Sequence, residues 1–477
     1  MKEEVSVQLL LNANTNTNHQ HRLNEVDGKP LSSSSSITPT LLLSVFVTVL
    51  GSFSCGYTVG YSSPTQAQIM KELDLSTADY SLFGSMLSFG GIFGAIVCGR
   101  LADYLGRKHA LRLTVLIYIF GWLSIATGQR AWLLDLGRWL LGFSMIIGNY
   151  VVPVYIAEFA PKNLRGGFVS LHALMTAVGS SSVFLIGLVT TWRTLALIGT
   201  TSSLVQIVGL FFIPESPRWL LMKSKTNAFE TALQQLRGGS VVNEAADLRE
   251  SIEALHQVEK VRFLQLFQKK YAYTLTVGIG LAALQCLVGL NGILFYASSI
   301  FKSAGFSATV GTIALALIQL PSVGLGVLLM DKYGRRPLLM ISVPGLCLGC
   351  FLAGLSFVFQ EHRLLDGCSS YMALTGLLFY IASYPVGMGG AASVILSEIY
   401  PLNIKGLAGS ICSVVLCLAG WIVSYTFNFL MEWSSSGTFF IMAGISAFTI
   451  VFVAKLVPET KGRTLEEIHA STSNVWQ

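Results

Sequence analysis

Twelve long apolar runs dominate this chain. They occupy residues 41–61, 80–99, 112–128, 133–157, 168–190, 194–213, 271–296, 308–330, 337–359, 371–396, 407–430 and 437–457. A hydrocarbon core about 30 Å thick needs about 20 apolar residues in a helix that crosses it. Each run therefore predicts one transmembrane helix, and the fold class is an all-α polytopic membrane protein. The polar stretches between runs are short, with one exception. Residues 215–270 separate the sixth run from the seventh, so two six-helix bundles are expected, 41–214 and 271–457. Within 215–270 the pattern predicts short helices over 227–236 and 245–261, parted by Gly238 and Gly239. A glycine pair of this kind suits a helix stop and a turn. These helices either lie against the cytoplasmic ends of both halves or form a passive linker. Residues 1–40 are polar and low in complexity and are expected to be a disordered cytoplasmic tail. They begin with no apolar core, so a cleaved signal peptide is not expected. Residues 458–477 form a second polar tail.

Composition agrees with this division. The chain is 52% hydrophobic and only 12% charged. A soluble protein carries roughly 25% charged residues, so a soluble enzyme of this length could not cover its apolar surface. The eight cysteines show neither metal spacing nor a disulfide framework. The net charge of +6 arises mainly in a few loops. Arg100, Asp103, Arg107, Lys108 and Arg112 follow the second run. Asp331, Lys332, Arg335 and Arg336 follow the eighth. Short basic loops stay in the cytoplasm, which with twelve spans puts both termini there. No contiguous basic face is present, so nucleic acid is not an expected partner.

The charged loops also repeat. Asp103-x-x-Gly106-Arg107-Lys108 returns as Asp331-x-x-Gly334-Arg335-Arg336. Glu158-x-x-Pro161-x-Asn163-x-Arg165-Gly166 returns as Glu398-x-x-Pro401-x-Asn403-x-Lys405-Gly406. Pro214-Glu215, ahead of Arg218, returns as Pro458-Glu459. Two similar halves around a central path are one of the known transporter architectures. Aspartate at a helix end can cap the helix or hold a basic partner. Glu158 with Arg165, and Glu398 with Lys405, are expected to pair in the same way. These charges either latch one conformation or anchor the topology.

A few polar residues interrupt the runs. Arg138 lies inside the fourth, where an arginine is costly unless paired or hydrated. Asp135, three residues earlier, can share its helix face; the arginine either pairs there or serves a central gate. Gln285, Asn291 and Tyr296 lie in the seventh run, Gln319 in the eighth and Asn149 in the fourth. Amides both donate and accept hydrogen bonds, which suits a small neutral polyhydroxylated ligand or bonding between helices. Gly289 and Gly292 can distort the seventh helix. His172 reads as a packing or interfacial residue rather than a base. There is no phosphate-binding glycine loop with its lysine and hydroxyl, no Ser-His-Asp cluster, and no expected cofactor or metal.

The combined set of motifs resembles the sugar porter family of the major facilitator superfamily. It comprises Gly-Arg-Leu-Ala-Asp-Tyr-Leu-Gly-Arg-Lys at 99–108, Arg138, Tyr155-Ile-Ala-Glu158, Pro214-Glu215-Ser216-Pro217-Arg218-Trp219-Leu220, Asn291, residues 331–336, Ser397-Glu398 and Pro458-Glu459-Thr460-Lys461-Gly462. Order and spacing match across nearly all of 40–470. The phrases at 59–65 and 422–430 resemble the plant early-responsive-to-dehydration monosaccharide transporter group. The resemblance implies the major facilitator fold, alternating access to a central hexose site, and Gln285, Asn291 and Gln319 facing the sugar. It also exposes departures. Proton-coupled members carry an aspartate in the first helix, within Gly-Tyr-Asp, working against the arginine of helix four. Here the pattern reads Gly56-Tyr57-Thr58 while Arg138 remains, and threonine does not titrate near neutral pH. Ala173, Cys286, Ala392-Ser393 and Leu416-Cys417 replace a glutamine, an amide, a Pro-Trp pair and an Asn-Trp pair of the family pattern.

The sequence thus predicts a facilitated-diffusion monosaccharide transporter in a vacuolar or plasma membrane, functional as a monomer surrounded by lipid. A proton-coupled carrier using another acid and a non-transporting sugar sensor are the competing readings. No reactive constellation supports an enzyme.

Overall fold

The computed structural model describes residues 38–161, 163–239, 241–256, 265–266, 268–363, 368–401 and 403–461. The polar segment 1–37 and residues 462–477 of the second tail lie outside them. Among the described residues, twelve helical spans are long and apolar enough to cross a membrane. The first half holds α1 (Pro39–Gly60), α2 (Ser62–Leu73), α3 (Thr77–Leu105), α4 (Arg107–Ala126), α5 (Ala131–Phe159), α6 (Arg165–Ile186) and α7 (Trp192–Phe212). Short helices α8 (Pro217–Met222), α9 (Thr226–Arg237) and α10 (Val242–His256) follow. The second half holds α11 (Lys269–Leu287), α12 (Leu290–Ser303), α13 (Ala308–Lys332), α14 (Arg335–Glu361), α15 (Cys368–Tyr384), α16 (Ala391–Glu398), α17 (Lys405–Trp433) and α18 (Ser435–Leu456).

Local chemistry sets the ends of these helices. Thr38 Oγ1 accepts from Leu41 N, and Pro39 opens α1, a position where its missing N–H costs nothing. Ser76 and Asp79 form a reciprocal capping box on α3. α9 stops at Gly238, whose φ of +70° is left-handed. The second linker helix spans Val242–His256, three residues earlier in its start than the sequence pattern implies; the rest of the expected segment falls outside the described residues. Two spans are broken. The seventh turns at Gly289, φ +105°, between α11 and α12, and kinks again at Tyr296. The tenth passes through a π-helical stretch, Pro385–Gly389, between α15 and α16.

Within the first half, α3 packs on α5, α1 on α6, and α4 on α5 and α7. Small residues allow these approaches: a Cβ at Gly142 of α5 would overlap the Leu87 carbonyl of α3. In the second half α14 packs on α15 and α18, and α11 on α17. The halves meet along α3–α17, α6–α13 and α2–α12. The α3–α17 seam is antiparallel, with Ser81 beside Asn428 and Ser88 and Gly91 beside Gly420 and Cys417. Ser81 and Asn428 belong to the ends of α3 and α17 remote from the repeated basic loops, and the others lie near the middles of these helices. At the basic-loop ends of α6 and α17, side chains added at Gly166, Gly167, Gly406 and Gly409 would meet nothing within 4 Å.

Candidate functional site

The basic loops form two similar clasps. In the first half, Gly106 turns with φ +95° between α3 and α4. Arg107 reaches Glu158 of α5 at 2.9 Å and Asp103 at 3.2 Å. Glu158 also accepts from Ser216 Oγ at 2.6 Å. Glu215 accepts from the backbone N–H of Lys108 at 3.0 Å. A carboxylate there meets the positive end of the α4 dipole. Trp219 Nε1 donates to the Asp103 carbonyl at 3.0 Å, which ties α8 to the same turn. In the second half Arg335 bonds Glu398 at 3.1 Å, and Glu459 accepts from the backbone N–H groups of Arg335 and Arg336 at 3.1 and 3.2 Å. Arg336 donates to the Ala454 carbonyl. Asp331 lies near the end of α13, with its side chain outside the described residues.

Two pairings expected from local spacing are replaced by tertiary ones. Glu158 meets Arg107 rather than Arg165, and Glu398 meets Arg335 rather than Lys405. Arg165 and Lys405 open α6 and α17 and are exposed, as is Arg100 on α3. Arg218 is half-buried on α8. Arg138 does not rely on Asp135. It is fully buried and donates to the Thr58 carbonyl at 2.9 Å and to Ser62 Oγ. Its guanidinium lies over Phe83 of α3 at 5.1 Å and Phe295 of α12 at 5.8 Å. It therefore touches both halves. Thr58 spends its own hydroxyl on the Ser54 carbonyl at 2.7 Å.

The amides of the seventh and eighth spans lie near the seam. Asn291 Nδ2 is beside Gly420 of α17, as are Ser88 Oγ of α3 and Cys286 Sγ. Gln285 Nε2 donates to the Met388 carbonyl of the π-helical stretch at 2.9 Å, and its Oε1 is buried without a partner. An unpaired buried acceptor is costly unless a ligand or water completes it. Gln319 Oε1 crosses the seam, accepting from Ser180 Oγ at 3.0 Å and Ser181 Oγ at 3.4 Å. Tyr296 stacks on Phe427 with ring centroids 5.5 Å apart and donates to the Ser424 carbonyl at 3.0 Å. Asn149 sits half-buried on α5 and makes no hydrogen bond to these amides among the described residues.

Several functional contacts escape a reading of the sequence. Ser63 and Ser298 pair across the halves at 3.0 Å, and Asn428 donates to Ser81 Oγ at 2.9 Å. His172 Nδ1 lies 2.8 Å from Ser52 Oγ of α1. The serines at 180–182, inside an apolar run, were the one visible signal.

The family described as "Sugar (and other) transporter" matches residues 44–471. The chain belongs to this sugar porter family. It is a multi-pass membrane protein of the major facilitator superfamily, related to the plant ERD6-like group. Sugar transporter ERD6-like 16 of Arabidopsis thaliana is 48% identical over 451 residues, covering 94% of each chain. Sugar transporter ERD6-like 7 of the same plant is 45% identical, covering 93% of this chain and 96% of its own. Among solved structures, the inward open conformation of the xylose transporter XylE from E. coli superposes with TM-score 0.78 at 24% identity, covering 90% of this chain and 99% of its own. The MFS proton:xylose symporter XylE bound to 6-bromo-6-deoxy-D-glucose gives 0.74, again at 24% identity, with 92% and 99% covered. These likenesses establish the fold of this sugar porter and nothing finer.

Proposed function

We propose that this sugar porter carries a monosaccharide, a hexose, by alternating access and facilitated diffusion. The relatives named as sugar transporters support the substrate class. The observation that carries the transport mode is at Arg138. Its partners are a backbone carbonyl and a hydroxyl, at the place where the resemblance leads one to expect a carboxylate. Neither partner exchanges a proton near neutral pH, so the arginine has no titrating counter-charge to release.

The basic loops face the cytoplasm in this reading, together with both termini, and the state described is open to that side. Asn291, Gln285 and Gln319 bind sugar hydroxyls, Tyr296 closes the outer end, and Asn149 faces the path from the first half. The clasps on Arg107 and Arg335 keep each half rigid while the halves rock. One chain suffices, because the path lies between its own halves. The host membrane is the vacuolar or plasma membrane.

A proton-coupled alternative has one observation in its favour. Asp135 is half-buried on α5, three residues before Arg138, and free of an ion pair with it.

Flux of labelled glucose and fructose through proteoliposomes tests the main reading. Saturable uptake is expected, with the Asn291→Ala variant about ten-fold or more weaker in affinity, the equivalent of one lost hydrogen bond to a hydroxyl. Lack of saturable flux for any monosaccharide would sink it.

A further inference from the structure

Beyond the seam, on the face remote from the basic loops, lies a cavity of about 510 Å³. Its lining comes from both halves. Gln66 of α2 and Thr77 of α3 stand on one side, and Ser298 of α12 and Asn428 of α17 on the other. The Ser63–Ser298 and Ser81–Asn428 bonds close the seam beside it. The chemistry of the lining is specific. Tyr296 and Phe427, stacked on each other and buried, close its floor. Hydroxyls and amides supply most of the polar lining. Lys302 and Glu432 are its two charged residues and cancel, so an ionic ligand finds no net attraction. The Gln66 Oε1 atom is buried without a hydrogen-bond partner.

We propose that this vestibule is a second binding site for a neutral polyhydroxylated ring of monosaccharide size, separate from the amides around Asn291. Alternating donors and acceptors suit the hydroxyls of such a ring, and the lack of net charge suits its neutrality. The Gln66 acceptor gains the donor it lacks. The site exists only while the halves are closed on this face. Opening that face must draw α2 from α12 and α3 from α17, which takes the lining apart. A ligand that binds one state shifts the equilibrium towards it. Sugar on this face therefore holds the closed state and slows its own entry. At ten times its dissociation constant the ratio of open to closed state falls about eleven-fold.

The inference goes beyond the proposed transport activity, and its test is separable from it. The full chain is held closed by a disulfide from Gly91→Cys to Cys417, whose Sγ lies 3.2 Å from a Cβ built at position 91 and which does not line the cavity, and carries Asn291→Ala to weaken the central site. Equilibrium binding of labelled D-glucose is then measured in nanodiscs. The expected result is one saturable site, weakened about ten-fold by Gln66→Leu and less by Glu432→Gln. In proteoliposomes of the unlocked protein, initial uptake should fall at high glucose on the vestibule face and not at high glucose on the other. The proposal is overturned if the locked protein binds no glucose, or if Gln66→Leu and Glu432→Gln both leave its binding unchanged. A failure of the transport reading would appear differently, as absent flux in the unlocked protein with glucose still bound by the locked one.

Discussion

The two clasps are built from the same motif and are not equally strong. In the first half the Arg107 and Glu158 side chains are 6% and 9% exposed, and Asp103, Ser216 and Trp219 reinforce them. In the second half Arg335 and Glu398 are 21% and 32% exposed, and Glu398 Oε2 has no hydrogen-bond partner. The first clasp is a buried network that depends on every member. The second is closer to a surface pair, which water can replace. Duplication supplied one design, and in the first copy the linker segment adds Ser216 and Trp219 to it. Both clasps join elements of a single half. In the proposed reading they stiffen each half, and the seam between halves does the moving.

Breaking the buried clasp should have the largest effect. Arg107→Ala leaves Glu158 charged and buried, at a cost of about 3–5 kcal/mol. A marked drop in the thermal midpoint of the purified protein is expected. Arg335→Ala, at the more exposed copy, should cost about 1 kcal/mol or less, and an equal drop for both variants would refute the asymmetry. Next come the carboxylates that cap α4 and α14. Glu215→Gln and Glu459→Gln remove a charge from a helix N-terminus, worth about 0.3–1 kcal/mol each, so their midpoints should fall by similar small amounts. The smallest effect lies at the opposite face. Trp192 Nε1 donates to Glu72 at 2.6 Å and Arg193 pairs with it; these two bonds hold the Glu72 carboxyl below the usual carboxylate range. A depressed carboxyl contributes stability that is full above the ordinary carboxylate value and is lost as pH falls through the folded value. Glu72→Gln should therefore lie slightly below the parent protein at pH 7, and the gap should close below about pH 4. A gap that persists in acid would show that packing, not ionisation, is the cause.

The spans were legible because nothing but a membrane explains twelve apolar runs of that length. The clasps were legible as sets and not as pairs. Spacing favoured Glu158 with Arg165 and offered Asp135 as one of two readings for Arg138, both near neighbours in sequence. The fold instead joined Glu158 to Arg107 and Arg138 to Thr58, across 51 and 80 residues. Local geometry cannot rank a contact that depends on how two helices pack. The polar groups near the seam were partly legible. Gln285, Asn291 and Gln319 stood out as amides in apolar runs. Ser63, Ser81 and Ser180 did not, because a serine in a span commonly satisfies itself on the carbonyl one turn back, as Ser44 does on Thr40. His172 was read as a packing or interfacial residue, and its partner, Ser52 of α1, became visible only in the fold. The Glu215 and Glu459 echo was visible, and its reason, capping the helix after each basic turn, needed the coordinates.

The central claim is that sugar moves down its own gradient, with Thr58 standing opposite Arg138 and no proton exchanged between them. Proteoliposomes holding equal labelled hexose on both sides, given a pH gradient alone, test it most directly. The account predicts no net movement of sugar in either direction of the gradient. Accumulation of hexose driven by the pH step, abolished by Asp135→Asn, would contradict it.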